Sequence, residues 1–365
     1  MEQTKTIDAK IVTHGSKTFD ATLDIFCEAL GFIVDVINEE WEDIDGLITK
    51  EVTRLVERFI HRTKKNPSPK YNFTTKFYKF PSYFRRSAIS KAFGIVKSYK
   101  SNLENWLAEK HQAKSEGKRF KKKPPTLSIE HEAFPVFYRE NMFERLSSNQ
   151  AKIKVNDWVW VTVTFNDKNL KHRGIDDWKE NNPTLVKIGK KYFINFSYTK
   201  NIKLNKTKIK DQMNISVDLG LTNSTACSAM TSDGAVIGRK FMNQSIEKDR
   251  LKALTNRLRK AQRNSGYIEA PNYWRRINGL QNHIKVNTAV EIIKFAEEYN
   301  ADIIVFEYLG KMKLPKGVYG AKKLRHILHH WCQLGIQSKV EEMAHYRGMR
   351  IRKINHFCSS FRWIR

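Results

Sequence analysis

The sequence predicts a multidomain protein of mixed class, all-β in one part and α/β in another, with a helical insertion near its start. Three observations over the 365 residues predict it. Net charge changes sign at one point: residues 1–60 hold 13 acidic and 6 basic side chains, residues 61–125 hold 3 and 18. The hydrophobic period then switches from helical to two after Pro125. From Lys210 the pattern becomes strand, strand, strand, helices, strand, helix, strand.

The opening TKTIDAKIVTHG alternates like a strand. From Phe19 to about Arg62, Leu23, Phe26, Leu30, Ile33, Val34, Ile37, Leu47, Val52, Leu55 and Phe59 recur at helical spacing. Basic helices follow from about Pro81 to Lys118, with Phe93, Val96, Leu103, Trp106 and Leu107 as the expected buried stripe, up to a charged, proline-ended joint at Lys121–Pro125. Beyond it KIKVNDWVWVTVTF and TLVKIGKKYFINFSYTKNIKL alternate and are rich in β-branched and aromatic residues, with a hairpin turn at Gly189–Lys191. A β-barrel or sandwich therefore fills roughly 126–205. The isolated first strand is expected to join it across the helices, which become an insertion in a β domain.

In the third part MNISVDLG is a buried strand ending at Asp218-Leu219-Gly220, and two more strands flank a Ser232-Asp233-Gly234 turn. Helices are expected over Ser245–Asn264 and Asn272–Tyr299, then the apolar strand ADIIVFEYLG carrying Glu307, a helix over Trp331–Tyr346 and the strand MRIRKI. Asp218 and Glu307 each interrupt an apolar strand, and an unpaired buried charge costs several kcal/mol, so an ion or cation is expected beside them. Taken alone, D-L-G after an apolar strand is also an ordinary turn signal. In this element order, the two acids are what an RNase H-like nuclease requires: carboxylates converging from adjacent strands on Mg²⁺ ions about 4 Å apart.

Composition narrows the partners. A net charge of +28 with 40% hydrophobic residues describes a folded protein with a polyanionic partner. No apolar run reaches the ~18 residues of a membrane span, and the N-terminus lacks a secretory pattern, so no membrane is expected and the expected location is cytoplasmic; with a polyanion as partner, no small-molecule substrate is expected. Cys27, Cys227, Cys332 and Cys358 form no C-x-x-C pair. His326, His329 and His330 lack the Glu of a zincin motif and are read as solvated or RNA-facing. The basic loop after Glu307 reads as a lid or a surface loop. The 61–125 stretch interleaves cations with Tyr71, Phe73, Phe77, Tyr78, Phe80, Tyr83 and Phe84, so Lys76, Tyr78, Arg85 and Arg86 are candidate nucleic-acid contacts, although the aromatics also suit the insertion's own core. Arg257, Arg259, Lys260, Arg263, Arg275 and Arg276 crowd two helices beyond what a packed bundle needs.

The runs ISVDLGLTNSTACSAMTSDG, RLRKAQR, WRRINGLQNHIKVNTAVEIIKFAEEYNADIIVFEYLG and GIQSKVEEMAHYRGMRIRKIN resemble the RuvC-type nuclease half of the TnpB (OrfB) proteins of insertion sequences, a half shared with type V CRISPR effectors. The resemblance implies a transposon-encoded, RNA-guided DNA endonuclease, with guide RNA and target DNA as partners and the arginine-rich helices lining the heteroduplex channel. It implies a wedge β domain over 1–18 and 124–209, a recognition lobe over 19–123 and a RuvC-like domain over 210–365. It makes Asp218 and Glu307 the first two catalytic and metal-binding carboxylates of a two-ion Mg²⁺ site. The family pattern continues into paired zinc-binding cysteines and a third catalytic Asp, whereas this chain reads INHFCSSFRWIR, with no acid after Glu342 and no zinc ligands. The expectation is a truncated or frame-shifted copy with impaired cleavage. The alternative is a catalytically dead RNA- and DNA-binding protein that acts by occupying its target.

Overall fold

The computed structural model describes residues 1–13, 16–128, 133–168, 175, 177–220, 223–265, 270–308 and 333–355. The His326–His330 cluster, the basic loop after Glu307, Cys332, Cys358 and the last ten residues lie outside them. The chain divides into two compact units, residues 4–200 and residues 1–3 with 201 onward.

In the first unit, β1 (Glu2–Lys10) leads into α1 (Ser16–Glu39), the single turn α2 (Trp41–Ile44), α3 (Thr49–Ile60), the single turn α4 (Phe73–Lys76) and the long α5 (Ser82–Ser115). The expected helical stretch from Phe19 is thus broken at Gly46, whose φ of +80° belongs to glycine. Phe26, Leu30, Ile33 and Ile37 of α1, Val52 and Val56 of α3, and Phe84, Ala88, Ile89 and Val96 of α5 are fully buried and form one core. The burial of α5 stops at Val96. Leu107 is exposed and Leu103 half-buried, against expectation, and Trp106 is covered by its own return loop, with Phe120 at 5.7 Å and its indole N–H donated to the Lys122 carbonyl at 3.1 Å.

Strands β2 (Phe143–Arg145), β3 (Gln150–Lys154) and β4 (Trp160–Thr164) form one antiparallel sheet. Strands β5 (Lys179–Glu180) and β6 (Thr184–Ile188) pair with β7 (Lys191–Asn201), whose other neighbour is β1. The first strand does join the β module across the inserted helices. The β6–β7 hairpin turns on Gly189 and Lys190, with Gly189 at φ +60°. The expected closed barrel is not formed among the described residues. Among the described residues the two sheets are joined by one isolated β-bridge, Ile11–Phe165, and by side-chain contacts such as Arg145–Glu180 at 2.8 Å, and β2 and β5 are only three and two residues long, too short to continue a ladder around a barrel.

The second unit holds a five-stranded mixed sheet ordered β10-β9-β8-β11-β12. It is built from β8 (Asn214–Asp218), β9 (Thr225–Met230), β10 (Val236–Met242), β11 (Ile303–Tyr308) and β12 (Arg350–Asn355), with α6 (Ser245–Ser265), α7 (Pro271–Glu298) and α8 (Gln333–His345). Strands β8, β11 and β12 run parallel, while β9 and β10 are antiparallel to their neighbours. Ile215, Val217, Cys227, Ala229, Ile304 and Phe306 share a core with Ile292, Ile293 and Ala296 of α7 and Ile336, Val340 and Ala344 of α8. Because side chains alternate along a strand, that core commits the intervening residues, Asp218 and Glu307 among them, to the other face.

Candidate active site

The register places the two acids. Phe306 of β11 lies beside Val217 of the parallel β8, so the next step along both strands sets Glu307 beside Asp218, one strand spacing of about 4.8 Å apart. Across the sheet Asp218 faces Ala226 and Ala226 faces Phe241, while Glu307 faces Ile354. One row therefore reads Phe241, Ala226, Asp218, Glu307, Ile354. The row behind it on the same face reads Arg239, Ser228, Ser216, Val305, Arg352.

The expectation of buried charges is corrected here. Asp218 is exposed and Glu307 half-exposed, because both stand where their strands leave the core and on the face opposite α7 and α8. The Asp218 carboxylate has no hydrogen-bond or ion-pair partner among the described residues. Leu219, next to Asp218, is buried, and a Cβ on Gly220 would stand 2.8 Å from the Asn223 carbonyl oxygen, an approach that only glycine allows. The Glu307 end of β11 is held by Gln337, a buried α8 residue whose Nε2 donates to the Glu307 carbonyl oxygen at 3.1 Å.

Around the pair the scaffold is tied by buried polar groups. Gln244 Oε1 accepts from Ser224 Oγ at 3.1 Å and Thr288 Oγ1 at 3.2 Å, locking β9 and the entry to α6 onto α7. The Asp302 carboxylate accepts from the Met213 N–H at 3.0 Å and from Thr207, which fixes the starts of β8 and β11 relative to each other. Lys240 of β10 bonds Glu291 of α7 at 2.8 Å, and that bond holds the Glu291 carboxyl below its usual range. Cys227 is buried, which pushes its thiol pKa up and makes it a packing residue. Among the described residues no three His, Cys, Asp or Glu side chains converge as a metal cluster. The acid pair supplies two hard oxygen donors, a set that suits one Mg²⁺ completing its shell with water.

The other candidates are spread through the molecule. Lys76 and Tyr78 are exposed, with the Lys76 ammonium 5.5 Å from the Phe32 and Phe77 rings. Arg86 is half-exposed and bonds Glu57 at 3.2 Å. Arg85 is corrected: it is buried, with its guanidinium turned inward onto Glu57 at 3.3 Å. Phe73, Phe77, Phe80 and Phe84 are buried against one another with ring centroids 4.6 to 6.0 Å apart, so most of the aromatic run is core. Arg257, Lys260 and Arg263 are exposed along α6 and Arg259 is half-buried. The helix packs on α7 through Leu251, Leu258, Ile277 and Ile284. Arg275 and Arg276 are exposed at the start of α7 and, with Asn272 and Tyr273, line a hollow of about 300 Å³. Sequence reading missed Arg239, Arg352 and Gln337. The arginines lacked any signal without the register, whereas Gln337 stood out as the polar member of an apolar helix face beside Ile336 and Val340.

Residues 5–157 match the model of the Aq_aa04 family. The chain is 30% identical over 179 residues to the "TnpB-like protein aq_aa05" of Aquifex aeolicus (strain VF5), an alignment covering 45% of this chain and 58% of that one. The TnpB resemblance holds. A second relative from the same organism, "Uncharacterized protein aq_aa04", is 32% identical over 101 residues, 27% of this chain and 56% of that one. The chain thus spans under two thirds of the length of these curated relatives. Among solved structures it is similar to the Cas12f1–sgRNA–target DNA complex, at 13% identity and a TM-score of 0.46, covering 97% of this chain and 89% of that one. It is also similar to CasPhi-2 (Cas12j) bound to crRNA, at 10% identity and a TM-score of 0.45, covering 96% and 90%. No helix among the described residues is long and apolar enough to cross a membrane.

Proposed function

We propose that this chain is a transposon-encoded, RNA-guided DNA endonuclease of the TnpB type, acting in the cytoplasm on DNA paired with its guide RNA. In this reading the residues from 210 onward are its RuvC-like nuclease domain, and the first unit is a wedge β module around recognition helices. One observation carries it: Asp218 and Glu307 each follow the last matched pair, Val217–Phe306, of adjacent parallel strands, on the face of the sheet away from α7 and α8. An exposed Asp beside a half-exposed Glu is a donor pair for a divalent ion that must also reach a phosphate. When bound, Mg²⁺ supplies Lewis-acid stabilisation of the phosphoryl oxygens and an activated water. The protein's part is to hold the two carboxylates in line, and the Gln337 bond to the Glu307 carbonyl anchors one of the two strand ends. The small Ser216 and Ser228 leave space behind the acids, and the exposed Arg239 and Arg352 flank that row with positive charge for a strand's phosphates.

The test uses the purified chain with RNA transcribed from its own locus. A defined RNA co-purifies, binding weakens steeply with salt, and DNA matching the guide is cut only with Mg²⁺. Asp218→Ala abolishes cutting while leaving binding intact. Cutting that survives Asp218→Ala sinks the site assignment, and binding without any Mg²⁺-dependent cutting overturns the nuclease reading in favour of occupancy alone.

A further inference from the structure

The hairpin joining β3 to β4 carries a feature that folding does not explain. Asp157 and Trp158 both lie in the left-handed region, at φ +57° and +63°, between Asn156 and Val159, and the Val159 N–H closes the turn on the Asn156 carbonyl at 3.3 Å. Two central residues of positive φ define the hairpin turn that favours Asn-Gly, because side chains there crowd the backbone. Here the glycine position is filled by tryptophan, the largest side chain. That strain is not offset by packing, since Trp158 is 58% exposed, Val159 51% and Trp160 40%. Strain retained at a solvent-facing residue points to binding.

The chemistry of the ligand follows from area and charge. At about 250 Å² for a whole tryptophan, these exposures leave on the order of 300 Å² open, well below the ~800 Å² per partner of a stable protein interface. A single flat ring needs only one such face. Lys154 sits opposite Trp160 in the register, with its ammonium 5.1 Å from the ring centroid, and Lys152 lies two residues further back on the same face. Glu144 opposite Lys152 and Asp157 at the tip balance the two lysines locally. Attraction to a polyanion therefore comes from the whole chain's +28, and the tip itself offers stacking.

We propose that the Trp158–Trp160 tip is a stacking site for an unpaired nucleobase, engaging nucleic acid where a duplex opens. This rests on the nucleic-acid reading given above and adds to it a site independent of Asp218 and Glu307. The test measures anisotropy of the full chain at one fixed salt concentration with two probes, a blunt DNA duplex and the same duplex forked into two unpaired thymidine arms. Base–aromatic stacking predicts that Trp158→Gly weakens binding to the fork about tenfold. Binding to the blunt duplex stays within twofold, and the salt dependence is unchanged because no phosphate contact is lost. Glycine is at ease at this φ, so the variant keeps its fold and melts no lower than the native chain, while Trp158→Phe retains most of the fork affinity. Fork binding within twofold of native in Trp158→Gly, or an equal loss on both probes, overturns the stacking site. Unchanged fork binding with an altered sedimentation coefficient overturns it in favour of a protein contact. A native chain that binds neither probe at low salt removes the nucleic-acid reading itself, whereas tight binding of both probes regardless of the tip removes only this proposal.

Discussion

The pairing of Arg85 with Glu57 allows a prediction that separates folding from binding. Arg85 retains only 9% of its side-chain exposure and Glu57 21%, and they meet at 3.3 Å between α5 and α3. With an effective dielectric near 20, unit charges at that distance attract by about 5 kcal/mol. Glu57 keeps some water and also bonds Arg86, so part of this is screened. Glu57→Ala leaves a buried guanidinium without its carboxylate, a change of the kind that costs about 3 kcal/mol. Arg85→Met with Glu57→Ala removes both charges and is expected to recover at least half of that loss, because the methionine fills the same volume without a desolvation cost. Urea unfolding followed by far-UV circular dichroism gives the free energies for the four corners of the double-mutant cycle. A loss under 0.5 kcal/mol for Glu57→Ala, or a double variant less stable than the single one, would refute the burial argument. Nucleic-acid affinity provides the second readout: Arg85→Met leaves it within twofold, since an inward-facing cation neutralises no phosphate.

Two further outcomes follow from the second unit. Gly220→Ala brings a methyl to 2.8 Å from the Asn223 carbonyl, so the backbone after Asp218 must shift; urea stability should drop by about 1–3 kcal/mol and, on the proposed nuclease function, cleavage should fall at least tenfold, and cleavage at the native rate would show that Gly220 does not help place Asp218. His345 is buried, its ring Nδ1 within 3.3 Å of Gln3 Nε2, and burial lowers its pKa from the ordinary 6.5. Its folded-state pKa being the lower, its contribution to stability is present above pH 6.5 and is lost as pH falls below that towards the folded value. The urea midpoint should therefore decline on acidification below pH 6.5, and His345→Gln should flatten that decline; an unchanged profile in the variant would remove His345 as its source.

What the sequence determined by itself was the material and order of the elements. The period-two runs from Lys152, the helical spacing from Phe19 and the apolar strands ending near Asp218 and Glu307 all became elements of those types, because local alternation decides which face is buried. It also carried the net charge of +28 and the TnpB resemblance. Closure of the β module was not legible, since a barrel needs continuous ladders and strand length is settled by what the neighbours offer for pairing. Nor could sequence tell Arg85 from Arg86: adjacent helical residues differ by about 100° in direction, and only the position of Glu57 on α3 decides which one turns inward. The two acids were legible as residues but not as a pair. Their exposure, their shared row and the arginines behind them exist only once β8 and β11 lie parallel in one register, a relation between segments some ninety residues apart that hydrogen bonding alone sets.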